Sequence, residues 1–210
     1  MSKKTEQEEI KVILVGEAGT GKTSLINSAI GIEFKDFLPS SATNSFAPKE
    51  IKIDGKKYIL NLWDTIGQEQ FRSLTKIFIK DSKIVIFVYD ITNEKSFVEL
   101  DYWIKTINDI LKDEPILAIA GNKQDLFLKE QVKEERAKKF AQEKNIHFQL
   151  TSAKNRKSFE KLLEDLLKKY IEKYGNSIGS GNKGIKLGEG DEKDPNKKKM
   201  LLILLFFKNN

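Results

Sequence analysis

Gly16-Glu17-Ala18-Gly19-Thr20-Gly21-Lys22-Thr23 fits the pattern G-x-x-x-x-G-K-[ST], and its flanks decide the fold. Before it, Ile10–Val15 is rich in Ile, Val and Leu, as a strand covered on both faces must be. After it, Ser24–Ile30 reads as a helix. Glycines in such a loop let successive backbone N–H groups turn inward around a phosphate. The helix start adds the positive end of its dipole. Lys22 would then reach the β- and γ-phosphates of a nucleotide, and the Thr23 hydroxyl would ligate Mg²⁺. The plain alternative is a glycine-rich turn capped by Thr23.

Outward from this loop the same rhythm repeats. Ile84–Tyr89 and Ile116–Ala120 are further buried-strand runs, and His147–Leu150 is a weaker one. Helical patterns lie between or after them at Ser96–Leu111, Val132–Glu143 and Phe159–Tyr174. Such alternation predicts an α/β fold with a mostly parallel sheet and helices on both faces. One segment breaks the rhythm: Glu50–Ile53 and Lys57–Trp63 flank Asp54-Gly55, a pair suited to the left-handed positions of a hairpin turn. The expected sheet is six-stranded, with one antiparallel hairpin strand.

Three further motifs stand at strand ends. In Asp64-Thr65-Ile66-Gly67-Gln68-Glu69, Asp64 can hold the Mg²⁺ shell, the Gly67 N–H can reach a γ-phosphate and Gln68 can orient a water. In Asn122-Lys123-Gln124-Asp125, the Asp125 carboxylate can accept from the N1–H and 2-amino group of guanine, a donor pair adenine lacks. In Thr151-Ser152-Ala153-Lys154, backbone groups can meet the guanine O6. Alone, each of the three also reads as an ordinary loop.

Together and in this order the four motifs resemble the Ras superfamily of small GTPases, over about Ile10 to Tyr174. Ile59–Trp63, Gln70–Thr75 and Phe87–Thr92 look most like the Rab branch. The resemblance implies a P-loop NTPase fold that binds GTP and GDP with Mg²⁺ and hydrolyses GTP as a switch in vesicle traffic. Residues Ala18, Gly19, Thr20, Gly21, Lys22, Thr23 and Ser24 would line the phosphates. Phe34 would lie against the guanine face, and Asn122, Lys123, Asp125, Ser152, Ala153 and Lys154 would hold the base. Gln68, Lys22 and Gly67 would be catalytic; Thr23, Asp64 and a switch I hydroxyl would ligate the metal. Counting forward from Lys22 and back from Trp63 both place Ser41 at that hydroxyl; a local shift would bring in Thr43 instead. The family's usual alanine is Ile66 here, which could hinder Gln68, so a guanine-nucleotide-dependent binding module with little hydrolysis is the alternative. An exchange factor, a GTPase-activating protein and effectors are the implied partners, and a monomer the implied state.

Composition bounds the rest. The 210 residues carry 32% charged and 39% hydrophobic residues, enough apolar material for a core. There is no cysteine, which excludes disulfides, thiolate zinc sites and prenylation in this sequence, and only one histidine, His147. The net charge of +6 is divided evenly between the tail and the remainder, where acids and lysines mix. A solvated surface is the reading there, with no nucleic acid polymer as partner. Residues 1–9 are polar and expected to be disordered. Residues 10–174 form the expected G domain, and 175–210 a flexible tail. Met200–Phe207 (MLLILLFF), after Lys197–Lys199, is too short to span a bilayer. It reads as a surface anchor on an anionic leaflet, a terminus docked on the domain, or an artefact of the reading frame. The expected place is the cytoplasm, with peripheral contact on the cytosolic face of endomembranes.

Overall fold

A computed structural model describes residues 8–35, 46–65 and 79–175. Ser41, Thr43, Ile66, Gly67, Gln68, residues 1–7 and the tail from 176 lie outside the described residues.

The elements run β1 (Glu8–Val15), α1 (Lys22–Ala29), β2 (Phe46–Ile53), β3 (Lys56–Asp64), β4 (Ile84–Asp90), α2 (Glu94–Val98), α3 (Leu100–Ile110), β5 (Ile116–Asn122), a 3-10 helix (Gln124–Lys129), α4 (Glu134–Glu143), β6 (His147–Leu150) and α5 (Arg156–Tyr174). The six strands stand in the order β2-β3-β1-β4-β5-β6. Only β2 runs antiparallel to its neighbour; the other pairs are parallel. Asp54 (φ 50°) and Gly55 (φ 77°) form the hairpin turn, as their left-handed tolerance predicts.

Alternation along the central strands builds two cores. Ile10, Val12 and Leu14 of β1 face one side, with Leu25 and Ile26 of α1 and Phe159, Leu163 and Leu166 of α5. Ile13 and Val15 face the other, with Phe87 of β4, Phe97 of α2, Trp103 and Ile107 of α3 and Ala137 of α4. Each fully buried apolar side chain contributes about 1.5–3 kcal/mol. All seven residues of β4 are buried, which explains its unbroken apolar run.

Boundaries differ from expectation in three informative places. β1 starts at Glu8, inside the stretch expected to be disordered, because Glu8 and Glu9 pair with Tyr58 and Ile59 of the long β3. The Ser96–Leu111 helix begins two residues early and is interrupted at Glu99, giving α2 and α3. Its start is set by Asn93, whose side chain accepts from the Ser96 N–H. α5 starts at Arg156, where Ser158 Oγ donates to the Asn155 carbonyl at 2.7 Å.

This topology positions the site. The chain leaves β1 for the β2–β3 side, then crosses to β4, β5 and β6 on the other. The carboxyl ends of all five parallel strands therefore face one edge, and the crevice lies beyond β1. Among the described residues, no helix is long and apolar enough to cross a membrane.

Candidate nucleotide site

The loop after β1 is shaped by close backbone packing. Gly16 has φ 148°, and a Cβ there would lie 2.1 Å from the Val88 carbonyl oxygen of β4. Gly21 has φ 92° at the N-cap of α1, where a Cβ would meet Asn122 Nδ2 at 2.4 Å. Neither position tolerates a side chain. Thr20 is buried and its hydroxyl donates to the Glu17 carbonyl at 2.9 Å. Lys22 is buried, and its ammonium donates to the Gly16 and Glu17 carbonyls at 2.9 Å each, crossing the loop. Ala18 and Gly19 are exposed at the rim, and Ser24 lies in the first turn of α1. That turn carries no acidic residue, so nothing on it competes for the helix's positive end.

Thr23 and Asp64 meet at the same edge. Thr23 Oγ1 donates to Asp64 Oδ2 at 2.5 Å, and the carboxylate is buried at the end of β3. A hydroxyl and a carboxylate are hard oxygen donors. That set suits Mg²⁺, which takes one or two protein oxygens and fills its shell with phosphate and water. Among the described residues no group of three or more His, Cys, Asp or Glu is arranged to hold a metal by itself. Thr65, also buried, donates to the Leu14 carbonyl at 2.9 Å and ties this edge to β1.

A second cluster gathers at the ends of β5 and β6. Ser152 Oγ donates to Asp125 Oδ1 at 2.6 Å, and Lys154 Nζ lies 3.8 Å from Asp125 Oδ2. The Lys154 N–H donates to Ser152 Oγ at 3.1 Å, with Ala153 buried between them. Lys154 also places its ammonium 5.0 Å from the centroid of the Phe34 ring, so Phe34 joins the cluster from the α1 side. Asn122 is buried and bridges the halves: its Nδ2 donates to the Thr20 carbonyl at 2.8 Å.

Two supporting residues lie outside the four nucleotide motifs. Asp90, at the end of β4, pairs with Lys123 at 2.6 Å. Its sequence signals are an acid closing a buried apolar strand and its place in the Rab-like segment Phe87–Thr92, neither of which assigned it a role. Behind it, Tyr89 presses its hydroxyl toward Gly121, where a Cβ would come within 2.7 Å. Burial pushes the Tyr89 phenol far above its ordinary range, reinforced by Glu134 and Glu130.

The edge thus carries a glycine-shaped loop with a hydroxyl–carboxylate pair at one end and a cluster of Asp125, Ser152, Lys154 and Phe34 at the other. Comparison with known proteins shows the family. The model of the Ras family matches residues 11–172. Ras-related protein Rab-21 of Homo sapiens is 40% identical over 162 residues, covering 77% of this chain and 72% of that protein. Rab-21 of Geodia cydonium is equally similar, at 40% over 162 residues (77% and 71%). Ras-related protein Rab-8B of Pongo abelii is 35% identical over 205 residues, covering 95% of this chain and 99% of that protein.

Proposed function

The chain belongs to the Ras family and is a Rab-like GTPase; from that premise we propose a Mg²⁺-dependent GTP/GDP switch serving vesicle-mediated transport, with the two clusters as the halves of its nucleotide site. The observation that carries this assignment of the site is the Asn122–Thr20 bond, which joins the phosphate loop to the base pocket at 2.8 Å.

The loop amides and the start of α1 bind the phosphates, and Lys22 turns its ammonium from the loop carbonyls to the β- and γ-phosphate oxygens. The loop amides and the helix start are preorganised, so charge developing in the transition state meets fixed dipoles rather than reorganising water. Thr23, Asp64 and Ser41 or Thr43 would hold Mg²⁺, which would supply positive charge against the phosphate oxygens. Asp125 accepts from the base edge while Ser152 and Lys154 keep its carboxylate in place. Phe34 covers the base face.

By family resemblance, Gln68 orients the attacking water, and Gly67 and the switch I hydroxyl contact the γ-phosphate. Loss of that phosphate releases both loops, which is the switch. Intrinsic turnover in this class is on the order of 10⁻⁴ per second, and activators raise it about 10⁵-fold. An activating protein, an exchange factor and effectors therefore complete the cycle, acting on a monomer. Lys197–Lys199 and Met200–Phe207 contact a cytosolic membrane surface in this reading.

Single-turnover phosphate release from GTP-loaded protein with Mg²⁺ tests it. Slow release that largely vanishes in Gln68→Leu is the expected result. Tight GTP retention with equal, near-zero release from both proteins would overturn intrinsic hydrolysis through Gln68 and favour a nucleotide-gated binding module, which Ile66 already hints at.

A further inference from the structure

Asp90 is not part of any of the four nucleotide motifs, yet its side chain is only 9% exposed and carries a full set of partners. Its Oδ1 accepts from the Thr92 N–H at 2.8 Å and the Thr92 hydroxyl at 2.7 Å. Those two bonds fix the rotation of the carboxylate. Its Oδ2 then accepts from Lys123 Nζ at 2.6 Å. The backbone is held as firmly: Asp90 pairs with Asn122 in the sheet, and the Ile91 N–H donates to the Asn122 carbonyl at 3.1 Å.

Lys123 occupies a strained position. It is a non-glycine residue in the left-handed region, φ 65° and ψ 35°, at the head of the 3-10 helix. That turn separates two residues with different tasks. Asn122, before it, grips the phosphate loop through Thr20; Asp125, after it, meets Ser152 in the base pocket. The direction of the chain at Lys123 therefore sets where Asp125 stands relative to the phosphate loop.

We infer that Asp90 is a positioning residue for guanine recognition. Through its ion pair it holds Lys123 and the left-handed turn, and so aims the Asp125 carboxylate at the base. This rests on the proposed nucleotide site. It adds a residue of β4, outside the base-reading loop, that sets both how long the nucleotide stays and how sharply its base is read. The pair is charge-assisted and its carboxylate is shielded from water, while the Lys123 side chain is 33% exposed; losing Asp90 therefore costs the turn its anchor rather than stranding a buried charge.

The test is release of a fluorescent GDP analogue from the full chain under a GDP chase, with competition by GDP and by IDP. Inosine lacks the 2-amino group, so the GDP/IDP preference reports how well Asp125 is placed. Asp90→Asn should release GDP about tenfold faster and narrow the GDP/IDP preference. Lys123→Met should also speed release, and adding Asp90→Asn to it should add little, since both act through one contact. Thr92→Val keeps the ion pair and removes the hydroxyl bond to Asp90 Oδ1, so about threefold faster release is expected; it decides the matter if Asp90→Asn does not fold.

Unchanged release in Asp90→Asn, or in Thr92→Val where that variant must decide, overturns the inference. So do effects of Asp90→Asn and Lys123→Met that multiply, or a GDP/IDP preference that stays the same while release quickens. Wild-type protein that fails to retain GDP would bring down the nucleotide site itself, a different failure from a wild type that binds well and a variant that matches it.

Discussion

The proposed phosphate end and the proposed base end of the site are built in opposite ways. The phosphate loop is eight consecutive residues whose contacts are largely its own: Thr20 to Glu17, and Lys22 to Gly16 and Glu17. Its shape comes from backbone angles at Gly16 and Gly21 and from contact with β4 and Asn122. The base pocket draws on Phe34, on 122–125 and on 151–154, which touch through side chains. A site made of backbone fails all at once when one angle is wrong. A site made of side chains loses its grip in steps.

The sharpest way to break this contrast is Gly16→Ala. The added methyl would collide with a backbone carbonyl of β4 that has nowhere to go. A loss of about 3 kcal/mol or more is expected in urea denaturation; a near-neutral result would mean the loop is far more plastic than its packing implies. Next comes Asp125→Asn, which removes the charged acceptor while leaving Thr23 and Asp64 untouched. GTP affinity by calorimetry should fall roughly a hundredfold, and unaltered affinity would remove this carboxylate from base recognition.

Asn122→Ala probes the joint between the two ends. It deletes the buried bond to the Thr20 carbonyl, and GDP and GTP should both weaken by about tenfold or more. A loss confined to one of them would show that the halves act separately. The smallest effect is expected at β6, the four-residue edge strand that leads into Thr151–Lys154. Burial holds the His147 imidazole below its ordinary 6.5, Lys169 pushes the same way and Asp165 opposes. The unfolded chain therefore takes up the proton first. Stability should be unaffected above that value and decline as pH falls through 6.5 toward the folded value. Tm measured on both sides of this window should drop on the acid side in wild type and drop less in His147→Gln.

What could be read in advance follows the same division. The three central parallel runs and the Asp54-Gly55 hairpin were legible because burial on both faces and left-handed φ each demand particular residue types, whereas half-buried β6 gave a weaker signal. The glycine turn at Gly16–Thr23 was legible for the same reason; Thr23 and Asp64 were named separately, and their hydrogen bond came only with the structure. The start of β1 was not, since Glu8 and Glu9 look like solvated chain until β3 offers them a partner. Nor was the interruption at Glu99, which leaves no mark on the apolar spacing of Ser96–Leu111. Lys123 and Asp125 were named as base contacts, but the Ser152 bond that steadies Asp125 and the Asp90 pair that steadies Lys123 join positions far apart in the chain.

The sequence by itself determined the alternation of strands and helices, the shape of the loop at Gly16–Thr23 and the kinds of donor at each strand end, because φ preference, apolar periodicity and side-chain chemistry are local properties. Only the tertiary structure decided that Asn122 would close on Thr20, that Lys154 would stand over Phe34 and that Asp90 would hold Lys123. Those contacts exist because parallel strands bring their carboxyl ends to one edge of the sheet, and no local preference encodes which neighbours meet there.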